Sequence, residues 1–169
     1  MTTSITAIAS STVGAGGAAS VTFSSIPQTY TDLLIKVSLR NARSAGEAEV
    51  RWTVNGSSTS YQNRLLQGNG TAASGGSYAT TLFYSGEINA ATSTANTFGS
   101  ADIYIPNYTS GNYKSVSAES VSENNSSGAF ATMTAGLWSN TAAITSITFA
   151  YGIDWLQYST FTLFGIKNT

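Results

Sequence analysis

Leu33–Arg40 reads LLIKVSLR, and this stretch decides how the rest of the chain is interpreted. Every second residue from Leu33 to Leu39 is a large aliphatic residue, whereas the positions between them include Lys36. Side chains alternate between the two faces of an extended strand, so this pattern gives one apolar face and one mixed face. The stretch is therefore predicted to be a β-strand that covers a core on one side.

The same short alternating pattern recurs along the chain, between turns rich in Ser, Gly, Asn and Thr. No segment shows a sustained 3.6-residue period, and the best helical candidate is a single turn near Asp154–Tyr158. The strands predicted from the pattern are Ser4–Ala9, Ala18–Ser24, Leu33–Arg40, Ala48–Val54, Ser60–Gln67, Thr80–Ile88, Thr97–Ile105, Tyr113–Ser122, Ala129–Trp138, Ile144–Tyr151 and Thr160–Ile166.

About ten strands at this spacing are typical of an all-β antiparallel β-sandwich, and a jelly roll is the form we expect. A length of 169 residues fits one domain. We expect residues 18–169 to form that sandwich and Met1–Gly17 to be either an N-terminal arm or its first strand. Asn55-Gly56 predicts a hairpin turn that pairs Ala48–Val54 with Ser60–Gln67, because both turn residues tolerate a positive φ. Gly68–Ser77 is predicted to be a long flexible loop.

The composition is unusual in its lack of charge. Only 9% of the residues are charged, and the net charge is −1. This balance provides no electrostatic attraction for nucleic acid or anionic lipid, so neither is expected as a partner. No stretch approaches the roughly 20 apolar residues of a membrane span. Residues 1–20 have no charged n-region and no long apolar run, so we expect no signal peptide.

Histidine and cysteine are both absent from the sequence. The commonest general base and the best protein nucleophile are therefore missing. Lys114 and Ser115 are adjacent on a predicted strand and would point to opposite faces, so they cannot act as a pair. Lys36 on a strand is expected to be solvated. We therefore expect no enzymatic activity, no metal site and no cofactor.

The carboxylates offer a weaker case for chemistry. Glu47 and Glu49 share one face of a strand beside Arg51, which is typical of a solvated strand entrance. Glu119 and Glu123 also share a face, and Glu87, Asp102 and Asp154 each stand alone. A buried carboxylate among these would have a raised pKa.

Several aromatic and aliphatic residues are candidate contacts with a partner. Trp155 lies in a predicted loop, where it either folds over the end of the sandwich or binds another surface. The aromatic residues beside the glycine-rich stretch either pack within strands or face a sugar or protein surface. Two isoleucines belong to the candidate arm. The full set of candidates is Ile5, Ile8, Tyr78, Phe83, Tyr84, Trp155 and Tyr158.

Three blocks of the sequence have a familiar form. Ala18–Leu34 (AASVTFSSIPQTYTDLL), Leu137–Phe149 (LWSNTAAITSITF) and Tyr158–Lys167 (YSTFTLFGIK) resemble small virion structural proteins of tailed bacteriophages. Members often end in a Leu-Tyr-Gly-Ile-like strand, where this chain has Phe164.

The resemblance implies a β-sandwich subunit of a virion, assembled in the bacterial host cytoplasm. A capsid decoration or cement protein would be a homotrimer that binds the major capsid protein or other virion proteins. The alternative is a tail-associated or fibre protein that binds a host-surface glycan. The resemblance carries no catalytic residues.

Overall fold

The computed structural model describes residues 3–125 and 128–168, apart from the side chains of residues 79 and 80. These residues form strands and connecting loops, with no helix among them. The twelve strands are β1 Ser4–Thr12, β2 Ala18–Phe23, β3 Asp32–Asn41, β4 Glu47–Val54, β5 Tyr61–Gly68, β6 Ala73–Thr80, β7 Phe83–Ala90, β8 Gly99–Ile105, β9 Lys114–Ser122, β10 Phe130–Trp138, β11 Ile147–Trp155 and β12 Thr160–Lys167.

The strands form two sheets. Sheet A is antiparallel throughout, in the order β1-β12-β3-β8-β9-β10-β5-β6. Sheet B has the order β2-β11-β4-β7. The two sheets join where β3 ends, because Arg40 and Asn41 pair with the end of β7 and Asn41 also pairs with Trp155.

The core lies between the sheets. The aliphatic residues of β3 that the alternation places on one face are buried, as predicted. Aromatic residues pack against them from both sheets: Phe149 of sheet B lies 5.2 Å from Phe161 of sheet A, measured between ring centroids. Trp155 packs edge-on against Phe161 at 5.8 Å. Burial of these large side chains is the main source of stability for such a sandwich.

The structure confirms an all-β sandwich, with twelve strands in place of about ten. At four places, two strands that follow each other in the sequence lie in different sheets, one in sheet A and one in sheet B. These are β1 and β2, β3 and β4, β7 and β8, and β11 and β12. The hairpins β5–β6 and β9–β10 extend sheet A beyond β8. The jelly roll, the finer form of the prediction, stays an interpretation of this strand order.

The hairpin predicted at Asn55-Gly56 is correct as a turn and wrong as a strand pair. Both residues have positive φ, 52° and 65°. However, β4 pairs with strands of sheet B and β5 with strands of sheet A. The Asn55 side chain holds the turn against a distant loop, accepting from the Thr145 amide at 2.8 Å and donating to the Ala143 carbonyl at 2.8 Å. The turn is therefore fixed beside sheet B, and residues 57–60 connect it to β5 in sheet A.

The flexible loop predicted at Gly68–Ser77 is also wrong, because half of it belongs to strand β6 and Gly68 is the last residue of β5. The side chain of Asn69 closes the β5–β6 turn by accepting from the amides of Thr71 and Ala72 at 3.0 and 2.9 Å. Small residues have a low intrinsic β propensity, and backbone pairing with β5 outweighs it here. The helical turn predicted near Asp154–Tyr158 is absent, because β11 extends to Trp155. Part of the predicted turn at Asn124–Gly128 lies outside the described residues.

Candidate interaction surfaces

Of the seven candidate contact residues, the structure leaves three well exposed. Ile5 is 60%, Tyr78 48% and Tyr158 67% exposed. They lie on different strands or loops and do not form one patch: Ile5 is on β1, Tyr78 on β6 and Tyr158 just before β12.

The remaining candidates belong to the packed interior. Phe83, Tyr84 and Trp155 are buried, and Ile8 is partly buried against the core. The indole Nε1 of Trp155 donates to the Phe149 carbonyl at 3.4 Å, so this residue folds inward at the end of the sandwich. All three tryptophans of the chain are buried and offer no platform to a ligand.

The outer face of sheet A carries a groove that no sequence pattern predicted. It encloses about 620 Å³ and crosses five neighbouring strands, from β3 through β8, β9 and β10 to β5. At a strand spacing of about 4.8 Å, this corresponds to a width of roughly 19 Å. We call this groove the trough; its lining includes Leu34, Arg64, Leu66, Asp102, Tyr104, Ser117, Glu119, Met133 and Ala135.

The trough has an apolar floor. Met133 and Leu66 are cross-strand neighbours that are 59% and 57% exposed, and Tyr104 lies two strands away from Met133. In β10 the inward positions beside Met133 are the buried threonines 132 and 134. At this strand the threonines therefore point inward and the methionine points outward, which is the reverse of the usual arrangement. In the sequence, the pattern Thr132-Met133-Thr134 was the indication of this floor. The sequence alone does not show which face of the strand packs against the other sheet, so it does not show that Met133 is exposed.

Charged groups stand around this floor. Lys36 Nζ lies 2.5 Å from Asp102 Oδ2, and Glu119 is directly opposite Asp102 on the neighbouring strand. Arg64 is on the far side of Met133 and Ala135, where its Nη1 donates to the Asn63 carbonyl at 3.0 Å. Asp102 and Glu119 are both exposed. The trough therefore offers exposed charged groups that can form hydrogen bonds with a ligand.

A second polar cluster lies on the outer face of sheet B. Glu87 is directly opposite Glu49, and the Tyr84 hydroxyl donates to Glu87 Oε1 at 3.0 Å. Arg51 pairs with Glu49 at 2.6 Å and lies over the Tyr151 ring. Burial raises the pKa of Glu87 to about 7, although the Tyr84 hydrogen bond opposes this. Glu87 is therefore partly buried, and the prediction that it stands alone is wrong, because Tyr84 and Glu49 lie beside it.

The remaining candidate groups for chemistry are held in structural roles. Lys114 is buried and donates to the carbonyls of Ser110 and Asn112 at 2.7 and 2.5 Å, whereas Ser115 is exposed. The two residues therefore point to opposite faces, as predicted. Within residues 3–125 and 128–168, no group of three or more acidic side chains is arranged to hold a metal ion. The same residues include no helix that is long and apolar enough to cross a membrane.

The free edges of the sheets are the third feature of the surface. β1 and β6 end sheet A and β2 ends sheet B, each paired on one side only within the described part of the chain. These strands lie in two segments, Thr3–Thr31 and Leu65–Gly86, that contain none of the seven basic and eight acidic residues. None of the three strands contains proline. β7, at the other end of sheet B, is buried at every position except Glu87.

No protein-family model, curated protein or solved structure matches this chain. The resemblance to phage virion proteins rests on the three sequence blocks alone.

Proposed function

We propose that this chain is a non-enzymatic structural subunit of a bacteriophage virion, and specifically a capsid decoration protein that stabilises the head shell. The resemblance of the sequence blocks suggests the kind of particle. An all-β sandwich with little charge and no histidine or cysteine is consistent with that role.

The sparse protection of the sheet edges is the observation that carries the proposal. An unpaired strand edge presents N–H and C=O groups that can pair with another chain. Monomeric proteins usually guard such edges with lysine, proline or a bulge. Here the strands β1, β2 and β6 carry no charge and no proline, and a bulge at Ile8 of β1 is the one such device that these strands show. Edges left in this state are suited to a protein whose surface is covered in an assembly.

The proposed partners are the major capsid protein or other virion proteins, together with further copies of this chain in a homotrimer. Strand addition would contribute backbone hydrogen bonds, and side chains beside each edge would contribute apolar area. Ser4–Thr12 forms an edge strand of sheet A, so the candidate N-terminal arm already has the extended conformation that such pairing requires.

Immunogold labelling of purified particles of the source phage, combined with a count of copies per particle by quantitative mass spectrometry, tests this role. Dense labelling over the head with hundreds of copies would support a decoration protein. A handful of copies at the tail would contradict it, and absence from the particle would contradict any virion role.

The trough favours one alternative, a tail-associated protein that binds a host-surface glycan. Its exposed Tyr104 offers a ring face, and Asp102, Glu119 and Arg64 offer hydrogen-bonding groups to sugar hydroxyls. A glycan array with the purified chain tests this alternative. Tyr104→Ala should abolish binding, whereas Tyr113→Ala, which removes an exposed tyrosine outside the trough, should not. Binding that survives Tyr104→Ala would exclude the trough as the site.

A further inference from the structure

We infer that this chain assembles head to tail with further copies of itself, with strand β1 of one copy adding to the free edge of strand β6 of the next. This inference deepens the proposed function, because it names the two edges and the partner: a second copy of this chain.

The direction of the strands in sheet A permits this pairing. Every neighbouring pair in the sheet is antiparallel, from β1 through β12, β3, β8, β9, β10 and β5 to β6. Eight strands that alternate in direction leave the two terminal strands running in opposite directions. A second copy placed beside β6 in the same orientation therefore presents its β1 antiparallel to β6. The alternation of the sheet continues across the junction, with the outer faces of both copies on the same side.

The two edges also match in length and charge. β1 has 9 residues and β6 has 8. Neither strand carries a charged residue or a proline, so no charge repulsion and no missing N–H opposes pairing, and the bulge at Ile8 is the one irregularity in β1. Ala7 of β1 and Ser77 of β6 are the two ends of one row of cross-strand neighbours on the outer face of sheet A. Between them the row contains Phe164, Leu34, Tyr104, Ser117, Ala135 and Arg64.

Side-chain size favours β1 over a second β6 as the occupant. β6 reads ASGGSYAT, so pairing it with itself would bring small side chains together and bury little apolar area. β1 reads SITAIASST and carries the exposed Ile5. Cross-strand pairs are the unit of sheet stabilisation, and β1 contributes large aliphatic side chains that a second β6 does not. The head-to-tail contact is heterologous, and such contacts close into rings when the rotation between copies permits.

Cross-linking between single-cysteine variants tests the pairing directly, because the native chain has no cysteine. Ala7→Cys and Ser77→Cys place one thiol on each edge, and Ser117→Cys places one in the middle of the same row as a control. Treatment with a short bismaleimide should cross-link a mixture of Ala7→Cys and Ser77→Cys proteins, and neither protein alone. Mixtures that contain Ser117→Cys should give no product. Self-cross-linking of Ser77→Cys would instead indicate a two-fold β6–β6 contact and overturn the inference.

Native mass spectrometry of the purified chain provides the second measurement. The wild type should be a closed oligomer, and the proposed homotrimer predicts three copies. Ala7→Lys or Ser77→Lys should each convert it to a monomer, because an edge lysine prevents strand addition. Ser117→Lys should leave the oligomer intact. A monomeric wild type would overturn the head-to-tail pairing, whereas failure of the virion role would appear only as absence from purified particles.

Discussion

Glu87 takes its properties from the residues that surround it on sheet B. Its Oε1 accepts the Tyr84 hydroxyl, while its buried Oε2 has no hydrogen-bond partner among the described residues. Glu49 and Glu47 add like charges, and Arg43 opposes them. Burial is the largest effect and raises the pKa of Glu87 from 4.5 to about 7 in the folded protein. The folded protein therefore binds a proton at this site more tightly than the unfolded chain does.

The first prediction concerns the stability at different pH values. A pKa that is higher in the folded state gives stability that is fully present below pH 4.5 and lost as the pH rises through about 7. Glu87→Gln should therefore raise Tm at pH 8 relative to the wild type, by roughly 3–6 °C for about 1–2 kcal/mol. At pH 4 the gain should vanish. Differential scanning calorimetry across this range measures the effect, and an equal shift at both pH values would contradict the assigned cause.

The second prediction concerns the loss of stability when Gly86 is substituted. It forms a bulge in β7 with a φ of 87°, and a Cβ placed there would lie 1.9 Å from the Ser120 Oγ. Gly86→Ala should cost about 3 kcal/mol or more, because backbone strain and a clash in the core add together. Gly152 is the matched control: its φ is 83°, and nothing lies within 4 Å of the added Cβ. Gly152→Ala should cost only about 1–2 kcal/mol. Equal costs in urea unfolding would show that the contact with Ser120 is absent.

At the scale of the strands, β1 is attached to the sandwich mainly through its backbone. Most of its side chains are exposed, and Ile8 and Ala9 are the ones packed against the core. Val13, directly after the strand, is buried and its amide donates to the Ser159 carbonyl at 2.8 Å. The boundary between the removable edge and the core therefore lies between Thr12 and Val13.

The third prediction follows from that boundary. A chain that lacks residues 1–12 should still fold cooperatively, with a loss of about 2–3 kcal/mol, because little apolar area leaves the core. Particle binding should be abolished if the arm makes the contact. Phe161→Ala is the control for a core contact, since Phe161 is fully buried, and it should cost about 3–5 kcal/mol. Circular dichroism melts compare the two variants. Loss of the fold on truncation would show that β1 is an integral strand and not an arm.

For the whole molecule, the order of the strands brings the two ends of the chain together. The first strand pairs with the last over Ser4–Thr12 and Thr160–Lys167, and β12 in turn lies beside β3. Sheet B similarly pairs β2 with β11. These contacts close very long loops. The chain therefore loses conformational entropy before the paired strands begin to stabilise the fold.

The fourth prediction is that the chain refolds slowly, in milliseconds to seconds or longer, as sandwiches with non-local pairing do. Stopped-flow dilution from urea, followed by fluorescence of the three buried tryptophans, measures the rate. Trp155 and Trp52 should report the same rate constant when each is the sole tryptophan, because both lie in the core that forms when the sheets close. Complete refolding in microseconds would contradict a fold determined by these distant pairs.

The sequence by itself determined the local structure of this protein. Alternation within stretches such as Leu33–Arg40 placed most strands, and Asn55-Gly56 predicted a turn that the structure contains. Only the tertiary structure decided that β4 and β5 belong to different sheets and that Trp155 folds inward. Alternation specifies the two faces of a strand but not its neighbours, and the pairs β1–β12 and β2–β11 join strands that are separated by most of the chain. The trough follows from that pairing, because Met133 and Tyr104 meet on one outer face only once β10, β9 and β8 lie side by side.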